Sequence, residues 1–329
     1  MRRALAAGLL VLGAAASAAA SDFTRNAVGT MGSEFLSMDQ GARGIGMGGA
    51  FSAVTNDAAS IYWNPAGLTR IPRLSATFSY TRYVQGVSYQ SGYVATRMND
   101  TSVIGAGYRY RDVGPIDNTD IDGNTVGTFT PRDYVAEAAW GQSILDLSDS
   151  EVDVTMGVTG RIIHSDYIAK ADGFGGDIGI QSRFYSSRHA YDLSFVAQNL
   201  GRGQRFDQHR EPFPTQAKLG AAINIIKPLT LSMEAVCPAS NIVHGAGGVE
   251  YLLDLAPGVQ GAVRGGFNSL TIDSLGVVSG LTFGWGVKVG NLSFDYAFVP
   301  MGTLGTDTHR ISLSFNLPAK VSRRYRERD

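Results

Sequence analysis

The 329-residue sequence has little cysteine, little charge and few long apolar runs. Cys237 is the only cysteine, so no internal disulfide can form. Charged residues make up 17% of the sequence and the net charge is −1, whereas globular proteins average about 25% charged residues. This balance provides no basic surface for nucleic acid. No run of 18 apolar residues follows the N-terminal region, which excludes a membrane-spanning helix there.

The usual signatures of an active site or a metal site are also missing. The five histidines are scattered without metal-ligand spacing, and no G-x-S-x-G motif is present. The stretch from Asn118 to Gly123 is similar to the start of a calcium loop, but the twelfth position is Phe129 and not a bidentate glutamate. We interpret it as a solvated surface loop, with weak calcium binding as the alternative. We therefore expect no enzyme, no metal and no cofactor.

Glycine is abundant, with 41 residues, and the first twenty residues have the pattern of an export signal. Arg2 and Arg3 precede an uncharged run from Ala4 to Ala16, and Ala18 to Ala20 supply a small-residue cleavage site. The alternative is a transmembrane anchor, but the run is mostly alanine and no stop-transfer pattern follows it. We predict a cleaved signal peptide at 1–20 and a mature start at Ser21.

The rest of the chain is dominated by a period of two. Leu281, Phe283, Trp285 and Val287 alternate with small or polar residues, as strands with one apolar face do. The predicted strands lie at about 73–83, 86–97, 101–110, 134–143, 152–164, 174–183, 191–199, 215–226, 229–236, 246–252, 258–267, 277–289, 292–299 and 308–317.

The connections between these strands alternate in length. Long ones such as 111–133, 165–173 and 200–214 alternate with tight turns such as 227–228 and 290–291. Long loops on one rim and short turns on the other are typical of a bacterial outer-membrane barrel. We predict an all-β, 14-stranded antiparallel transmembrane barrel with both termini on the short-turn, periplasmic side. A soluble β-sandwich is the alternative, but no linker divides the strands into two domains.

Aromatic and charged residues fit the same barrel. Six tyrosines fall at strand ends beside the long loops and predict an outer aromatic girdle: Tyr80, Tyr83, Tyr108, Tyr110, Tyr134 and Tyr167. Seven acids and seven bases fall on the polar face and would line the lumen: Arg109, Glu137, Asp153, Arg161, Asp177, Arg183, Asp192, Lys218, Glu234, Glu250, Arg264, Lys288, Asp295 and Arg310. Glu137 and Asp153 could in principle act as an acid–base pair, but we expect pairing with luminal arginines.

The segment from Ser33 to Ile71 does not have the barrel pattern. Gly44, Gly46 and Gly49 formally satisfy G-x-G-x-x-G, but no strand precedes them, which argues against a dinucleotide site. We expect a glycine-rich turn, a short helix at 50–54 and a turn at 64–67, since a residue before proline avoids helical backbone. The residues that mark this segment are Gly44, Gly46, Gly48, Gly49, Asp57, Trp63, Asn64, Pro65 and Gly67.

This pattern resembles the N-terminal signature of the PorV/PorQ family, most specifically from Tyr62 to Leu68. The strand ends at 198–201 and 309–315 are also similar to that family. The resemblance implies a FadL-like barrel whose N-terminal segment, 21–72, folds into the lumen as a hatch, followed by the barrel at 73–317. We expect the turn at Asn64 and Pro65 near the periplasmic end. The basic tail at 318–329 departs from outer-membrane barrels that end on an aromatic residue.

The resemblance implies a protein of the outer membrane of a Gram-negative-type bacterium. Its partners would be outer-membrane lipid, a type IX secretion translocon and exported cargo proteins, with no nucleic acid. The alternative function is FadL-like transport of hydrophobic small molecules, and a third is a structural barrel without transport. The moderate length and the balanced luminal charge favour the secretion partner, in which the hatch would be a plug.

Overall fold

The computed structural model of the protein describes residues 29, 31–145, 152–186, 189–239 and 241–318. The predicted signal peptide and all but the first residue of the predicted basic tail therefore lie outside the described residues. None of the helices in the described part of the chain is long and apolar enough to cross a membrane.

The described chain forms eighteen strands, of which fourteen close into one barrel. The barrel strands are β1 (Leu74–Arg82), β2 (Ser88–Arg97), β3 (Ser102–Asp112), β6 (Arg132–Leu145), β7 (Val152–Asp166), β8 (Lys170–Tyr185), β9 (Ala190–Gly201), β12 (Gln216–Ile226), β13 (Leu229–Pro238), β14 (His244–Ala256), β15 (Val259–Asn268), β16 (Leu281–Val289), β17 (Leu292–Pro300) and β18 (Asp307–Leu317). The others form two hairpins beside the barrel, β4 (Ile116–Thr119) with β5 (Thr125–Phe129) and β10 (Gln204–Phe206) with β11 (His209–Glu211).

Each barrel strand pairs antiparallel with the barrel strands that precede and follow it, and β1 pairs with β18 to close the sheet. Leu74 lies opposite Leu317, so the barrel begins and ends at one rim. The two-residue turns Lys227-Pro228 and Gly290-Asn291 lie at that rim, while both hairpins lie at the other. The predicted fourteen-stranded antiparallel barrel is therefore confirmed, and full closure leaves it no unpaired edge.

Side chains alternate between the two faces of the wall as predicted. On β16, Phe283 and Trp285 point outward and are 51% and 47% exposed, whereas Thr282 points inward and is 6% exposed. An outward apolar face with a polar interior is the pattern expected of a barrel in lipid and the reverse of a soluble sandwich.

Several predicted boundaries are wrong. The strand expected to end at 252 continues to Ala256, and the loops expected at 111–133 and 200–214 contain the two hairpins. The loop expected at 165–173 is a three-residue turn, because β7 and β8 continue until Asp166 pairs with Lys170. The inward-facing Ser165 there hydrogen-bonds Asp133 at 2.5 Å, and this long-range partner is not visible in the local pattern. The strand expected from position 277 begins at Leu281, since Val277–Gly280 is a 3₁₀ helix.

The girdle prediction also fails for two of the six tyrosines. Tyr108 and Tyr134 lie on the outer face, at 44% and 42% exposure. Tyr83 instead packs edge-on against the buried ring of Tyr89, and Tyr167 stacks on Phe206. Both lie past the end of a strand, so the alternation of the strand does not determine where they point.

The helices are short and lie in connections and in residues 31–72, hereafter the N-terminal segment. That segment contains helices Ala42–Gly46 and Ser60–Trp63 and 3₁₀ helices Glu34–Ser37 and Pro65–Arg70. The remaining helices are Val84–Gly86, Ile272–Leu275, Val277–Gly280 and Gly302–Leu304. The helix expected at 50–54 is absent and turns occupy that stretch. Helix formation shifts to Ala42–Gly46, where tertiary contacts outweigh the poor helix propensity of glycine.

Candidate functional site in the barrel interior

The N-terminal segment runs from the long-loop rim to the short-turn rim and contacts the inner face of the wall on the way. At the long-loop rim, the Gly32 N–H donates to the Pro212 carbonyl at 3.0 Å. Deeper in, the Ala42 N–H donates to Ser312 Oγ of β18 at 2.8 Å, and Thr159 Oγ1 of β7 donates to the Ile61 carbonyl at 3.0 Å. Since β18 and β7 are far apart around the barrel, the segment contacts several sides of the interior.

Trp63 is the centre of the apolar part of this segment. Its side chain is 1% exposed, and its Nε1 donates to the Gln40 carbonyl at 2.9 Å. Phe51 and Tyr62 pack edge-on against it with ring centroids 5.4 and 5.3 Å away. A Cβ at Gly44 would come within 2.5 Å of the indole ring, so the predicted glycine and tryptophan form one packing unit.

Asn64 and Pro65 lie beside Gly179 of β8, and a Cβ at Gly157 of β7 or at Gly141 of β6 would also meet Pro65. These glycines lie in the half of each strand that is toward the short-turn rim. Asn64 is fully buried, donates from Nδ2 to the Ser52 carbonyl at 3.0 Å, and accepts from the Ala66 N–H at 3.1 Å. Its backbone is extended and it caps the 3₁₀ helix Pro65–Arg70, in place of the simple turn that the sequence suggested. A Cβ at Gly179 of β8 would collide with the Asn64 side chain.

The other predicted glycines let two backbones approach closely. A Cβ at Gly48 would lie 2.7 Å from the Gly247 carbonyl, and a Cβ at Gly46 would lie 3.1 Å from the Cα of Gly284. Both Gly48 and Gly49 adopt positive φ, at 70° and 84°. A Cβ at Gly67 would lie 2.7 Å from the Thr55 carbonyl. Much of the glycine excess thus serves contact between this segment and the wall.

Asp57 lies at the short-turn side of the segment. Its Oδ1 accepts from the Ala59 N–H at 2.9 Å. Burial raises the pKa of Asp57, and the nearby Arg43 guanidinium opposes that shift. The carboxylate is therefore a turn-capping group whose ionisation the interior disfavours.

Four of the predicted luminal charges form one chain of ion pairs across neighbouring strands. Arg109 Nη2 of β3 and Arg161 Nε of β7 each lie 3.1 Å from Glu137 Oε1 of β6. Arg161 also pairs with Asp177 of β8, which accepts from the Asn199 N–H at 2.8 Å. All of these side chains are buried. Pairing offsets the cost of removing each charge from water, so Glu137 is held by arginines as expected.

Two arginines of the N-terminal segment join the luminal charges. Arg43 Nη2 lies 2.8 Å from Glu250 Oε1, and Arg264 Nε donates to the other oxygen of that carboxylate at 2.6 Å. Arg264 also lies 2.7 Å from Asp295. Each carboxylate on this wall is therefore shared or held by a guanidinium.

The second arginine of the segment, Arg70, lies 2.8 Å from Asp192 of β9. Asp192 also accepts two bonds of 2.9 Å from Arg183 of β8. Together with the Arg43–Glu250 pair, this bridge fixes the segment to the wall at two strands, β9 and β14.

The remaining predicted luminal charges are less tightly held. Lys218 Nζ lies 3.8 Å from Glu234 and 5.1 Å from the Trp63 ring centre. Asp153 is half-buried and hydrogen-bonds Tyr185. Lys288 is exposed at the short-turn mouth, and Arg310 is buried with Nη2 4.0 Å from the Met38 sulfur.

Two cavities of similar size lie on either side of the stretch 43–49. The cavity toward the long-loop rim has about 300 Å³ and is lined by Asp39, Ile45, Lys218 and Arg310 among others. The cavity toward the short-turn rim has about 310 Å³ and includes Arg43 in its lining. The stretch 43–49 thus lies between two separate cavities of the interior.

No metal site accompanies this arrangement in the ranges that the structure describes, since no group of three or more His, Cys, Asp or Glu side chains converges there. The stretch with the partial calcium-loop spacing forms the tip of the β4–β5 hairpin. Asp120 accepts there from the N–H groups of Asp122 and Asn124 at 3.0 and 2.8 Å.

Sequence reasoning missed several residues that hold the segment. Arg43 and Arg70 were not among the candidates, although an arginine in a glycine-rich, nearly uncharged stretch is a usable signal for a buried ion pair. Gln198 donates to the Tyr62 carbonyl at 2.6 Å, and Gln181 donates to that of Ala53. Inward-facing glutamines on a predicted barrel strand were the available signal.

The geometry can be compared with known proteins. A family model described as type IX secretion system protein PorV matches residues 20–230, more than half of the chain. The chain belongs to the PorV family. The match includes the whole N-terminal segment and the barrel strands from β1 to β12.

Solved structures agree with this barrel fold. The toluene transporter TbuX of Ralstonia pickettii is 11% identical with a TM-score of 0.54, covering 84% of this chain and 98% of that one. The toluene transporter TodX of Pseudomonas putida is 12% identical with a TM-score of 0.53, covering 85% and 99%. A Pseudomonas aeruginosa FadL homologue is 10% identical with a TM-score of 0.50, covering 84% and 98%. At these identities the likeness concerns the fold alone. No curated protein matches the sequence of this PorV family member.

Proposed function

We propose that this PorV family member is a non-enzymatic outer-membrane partner of type IX protein secretion. The family match over residues 20–230 is the observation that carries the proposal. In this role the protein sits in outer-membrane lipid, with the long-loop rim outside. It receives exported cargo from the translocon and helps deliver it to the surface.

We further propose that residues 21–72 are a plug and that 73–317 are the transmembrane barrel. The ion pairs of Arg43 and Arg70 with the wall support a fixed plug, as do the buried hydrogen bonds of Asn64. Irregular backbone cannot face lipid, because each unpaired polar group there costs several kcal/mol, and the interior satisfies it. The first twenty residues would be the cleaved signal, and 318–329 a periplasmic tail.

Transport of hydrophobic small molecules is the second candidate. It is favoured by an apolar cavity of about 410 Å³ at the long-loop rim, lined by Val113, Phe129 and Phe206 among others. The two cavities that flank the stretch 43–49 argue against it, because charged side chains such as Lys218 and Arg264 line them. A hydrophobic molecule that moved from the rim into the interior would meet desolvated charges instead of a continuous apolar path.

A deletion strain complemented with variants tests the proposal. Loss of the protein should abolish surface display of exported cargo without changing uptake of a labelled hydrophobic substrate. Replacing Asn64 and Pro65 with alanine should raise permeability to small solutes and leave growth on fatty acids unchanged. The matched control replaces Pro115 and Asn118, an exposed pair at the rim hairpin, and should change neither. Defective lipid uptake with normal surface display would instead establish the transporter.

Localisation is tested separately. The protein should fractionate with outer membranes and migrate faster on gels before heating than after. Recovery as a soluble periplasmic monomer would contradict the membrane assignment.

A further inference from the structure

The β4–β5 hairpin projects from the long-loop rim and is exposed along nearly its whole length. All residues of β4 and the first four of β5 are exposed. The apolar side chains of Ile121 and Val126 are 101% and 62% exposed. Exposed apolar residues gathered on one small element are typical of an interaction surface.

The hairpin also has unpaired edges. β4 and β5 pair only with each other among the strands that the structure describes, so the outer edge of each has free backbone N–H and C=O groups. Natural proteins usually protect such edges with lysine, proline or a bulge. Here neither strand contains lysine or proline, and the register shift lies toward the tip, between Asn118 and Thr119. The edge of β5 is therefore open to an added strand.

An apolar cavity lies at the root of β5. It has a volume of about 410 Å³ and is lined by Phe129 and Pro131 at the hairpin root, by Tyr167 and Ile168 from the β7–β8 turn, and by Phe206 from β10. β5 leads into β6, which pairs with β7, so Tyr167 and Ile168 lie on the β5 side of the hairpin. The only charged group in the lining is Arg111, which Asp133 and Tyr167 already bind, at 2.5 and 2.7 Å.

The charge of the hairpin specifies the partner further. Asp117, Asp120 and Asp122 lie within 114–129, a stretch without lysine or arginine. The backbone N–H of Asn124 and neighbouring donors lower the pKa of Asp120, so it stays ionised at neutral pH. A partner that lies along this hairpin must therefore tolerate a concentrated negative field.

We propose that the β4–β5 hairpin and the apolar cavity together bind an extended, basic segment of a partner protein. The segment adds as a strand to the edge of β5 and places one large apolar side chain in the cavity. Main-chain hydrogen bonds supply affinity in such strand addition, and the pocket and the aspartates supply specificity. The proposal rests on the proposed function only in that exported proteins would present such segments at the outer face.

Purified protein in detergent and a short synthetic peptide test this directly. The peptide alternates lysine with valine around one phenylalanine. We expect binding that weakens as ionic strength rises, together with hydrogen-exchange protection at 125–129. The same peptide with glutamate for lysine should not bind. Methylating the backbone nitrogens on one edge of the basic peptide should abolish binding, because those N–H groups are the strand donors.

Two variants separate the charge from the pocket. Replacing Asp117 and Asp122 with asparagine should weaken binding about fivefold, as expected for two exposed charge contacts. Ile168→Asn should remove the preference for phenylalanine over alanine in the peptide while the lysine dependence remains. The matched control is Leu304→Asn, an exposed apolar residue on another loop of the same rim, which should bind like the wild type.

Two results would overturn the proposal. The first is no binding of the basic peptide. The second is binding that survives N-methylation or gives no protection at 125–129. These outcomes are independent of secretion, because a strain that loses cargo display can still yield protein that binds the peptide, and the reverse also holds.

Discussion

Replacing Gly248 with alanine should loosen the N-terminal segment from the wall. A Cβ there would lie 2.5 Å from the Met47 carbonyl oxygen and 2.7 Å from the Met47 Cβ. Both are far shorter than van der Waals contact, and the first obstacle is backbone that cannot rotate away. Overpacking by one methyl group costs roughly 1–3 kcal/mol. Because 1–2 kcal/mol changes the folded-to-unfolded ratio by a factor of roughly 5–30, the effect is measurable.

The neighbouring Gly247 provides the control. Its Cβ would have only one neighbour, the Ser232 carbonyl oxygen at 3.9 Å. Gly247→Ala should therefore be neutral or stabilise the strand by up to about 1 kcal/mol. The assay is urea unfolding in detergent micelles, combined with tryptic cleavage at Arg43 and Arg70. Gly248→Ala should lower the unfolding midpoint and accelerate cleavage. Equal midpoints and cleavage rates for both variants would refute the packing argument.

Three further predictions concern the lipid face, the ion pairs and pH. Phe294→Arg should lower the folded yield, because placing an arginine in lipid costs roughly 2–4 kcal/mol. Ser293→Arg, on the polar face, should lower the yield less. Equal losses of folded protein would show that the face assignment is inverted. Glu250→Gln should lower the free energy of unfolding by roughly 3–5 kcal/mol, measured with a denaturant, because it leaves buried guanidinium groups without their carboxylate. Asp112→Asn, which breaks the half-exposed pair with Arg132, should lower the free energy of unfolding by at most about 1 kcal/mol. Equal losses for the two variants would contradict the burial of the Glu250 ion pairs. Burial raises the pKa of Asp57, so the folded protein holds this proton more tightly than the unfolded chain does. The free energy of unfolding of the wild type, relative to that of Asp57→Asn, should therefore fall as the pH rises from the ordinary carboxylate range through the raised pKa. A difference that does not vary with pH would contradict it.

The strands were the most predictable part of the molecule, and their ends the least. All fourteen barrel strands follow from period-two alternation, because that pattern reflects a local choice between lipid and interior. The ends depend on partners elsewhere. β7 and β8 extend toward the rim where Ser165 finds Asp133, and Val277 to Gly280 turn helical although their hydrophobicity suggests a strand.

The inward charges illustrate the same division. The alternation of side chains along each strand identified Glu137, Arg161 and Asp177 as inward-facing. It did not show which of them would form ion pairs. Pair formation depends on the stagger between neighbouring strands and on how far each side chain reaches. Arg43 and Arg70 were missed because their carboxylate partners lie more than a hundred residues away in the chain.

By itself, the sequence determined the number of barrel strands, the face that each presents to lipid, and the family, since alternation and short motifs are local properties of the chain. It did not show the two hairpins in the long loops. Only the tertiary structure decided what the glycine-rich motif is for. Gly46 and Gly48 contact wall residues some two hundred positions distant, and Asn64 lies against β8. The path of the N-terminal segment thus results from close backbone packing against a closed wall, and that packing exists only once the barrel has formed around it.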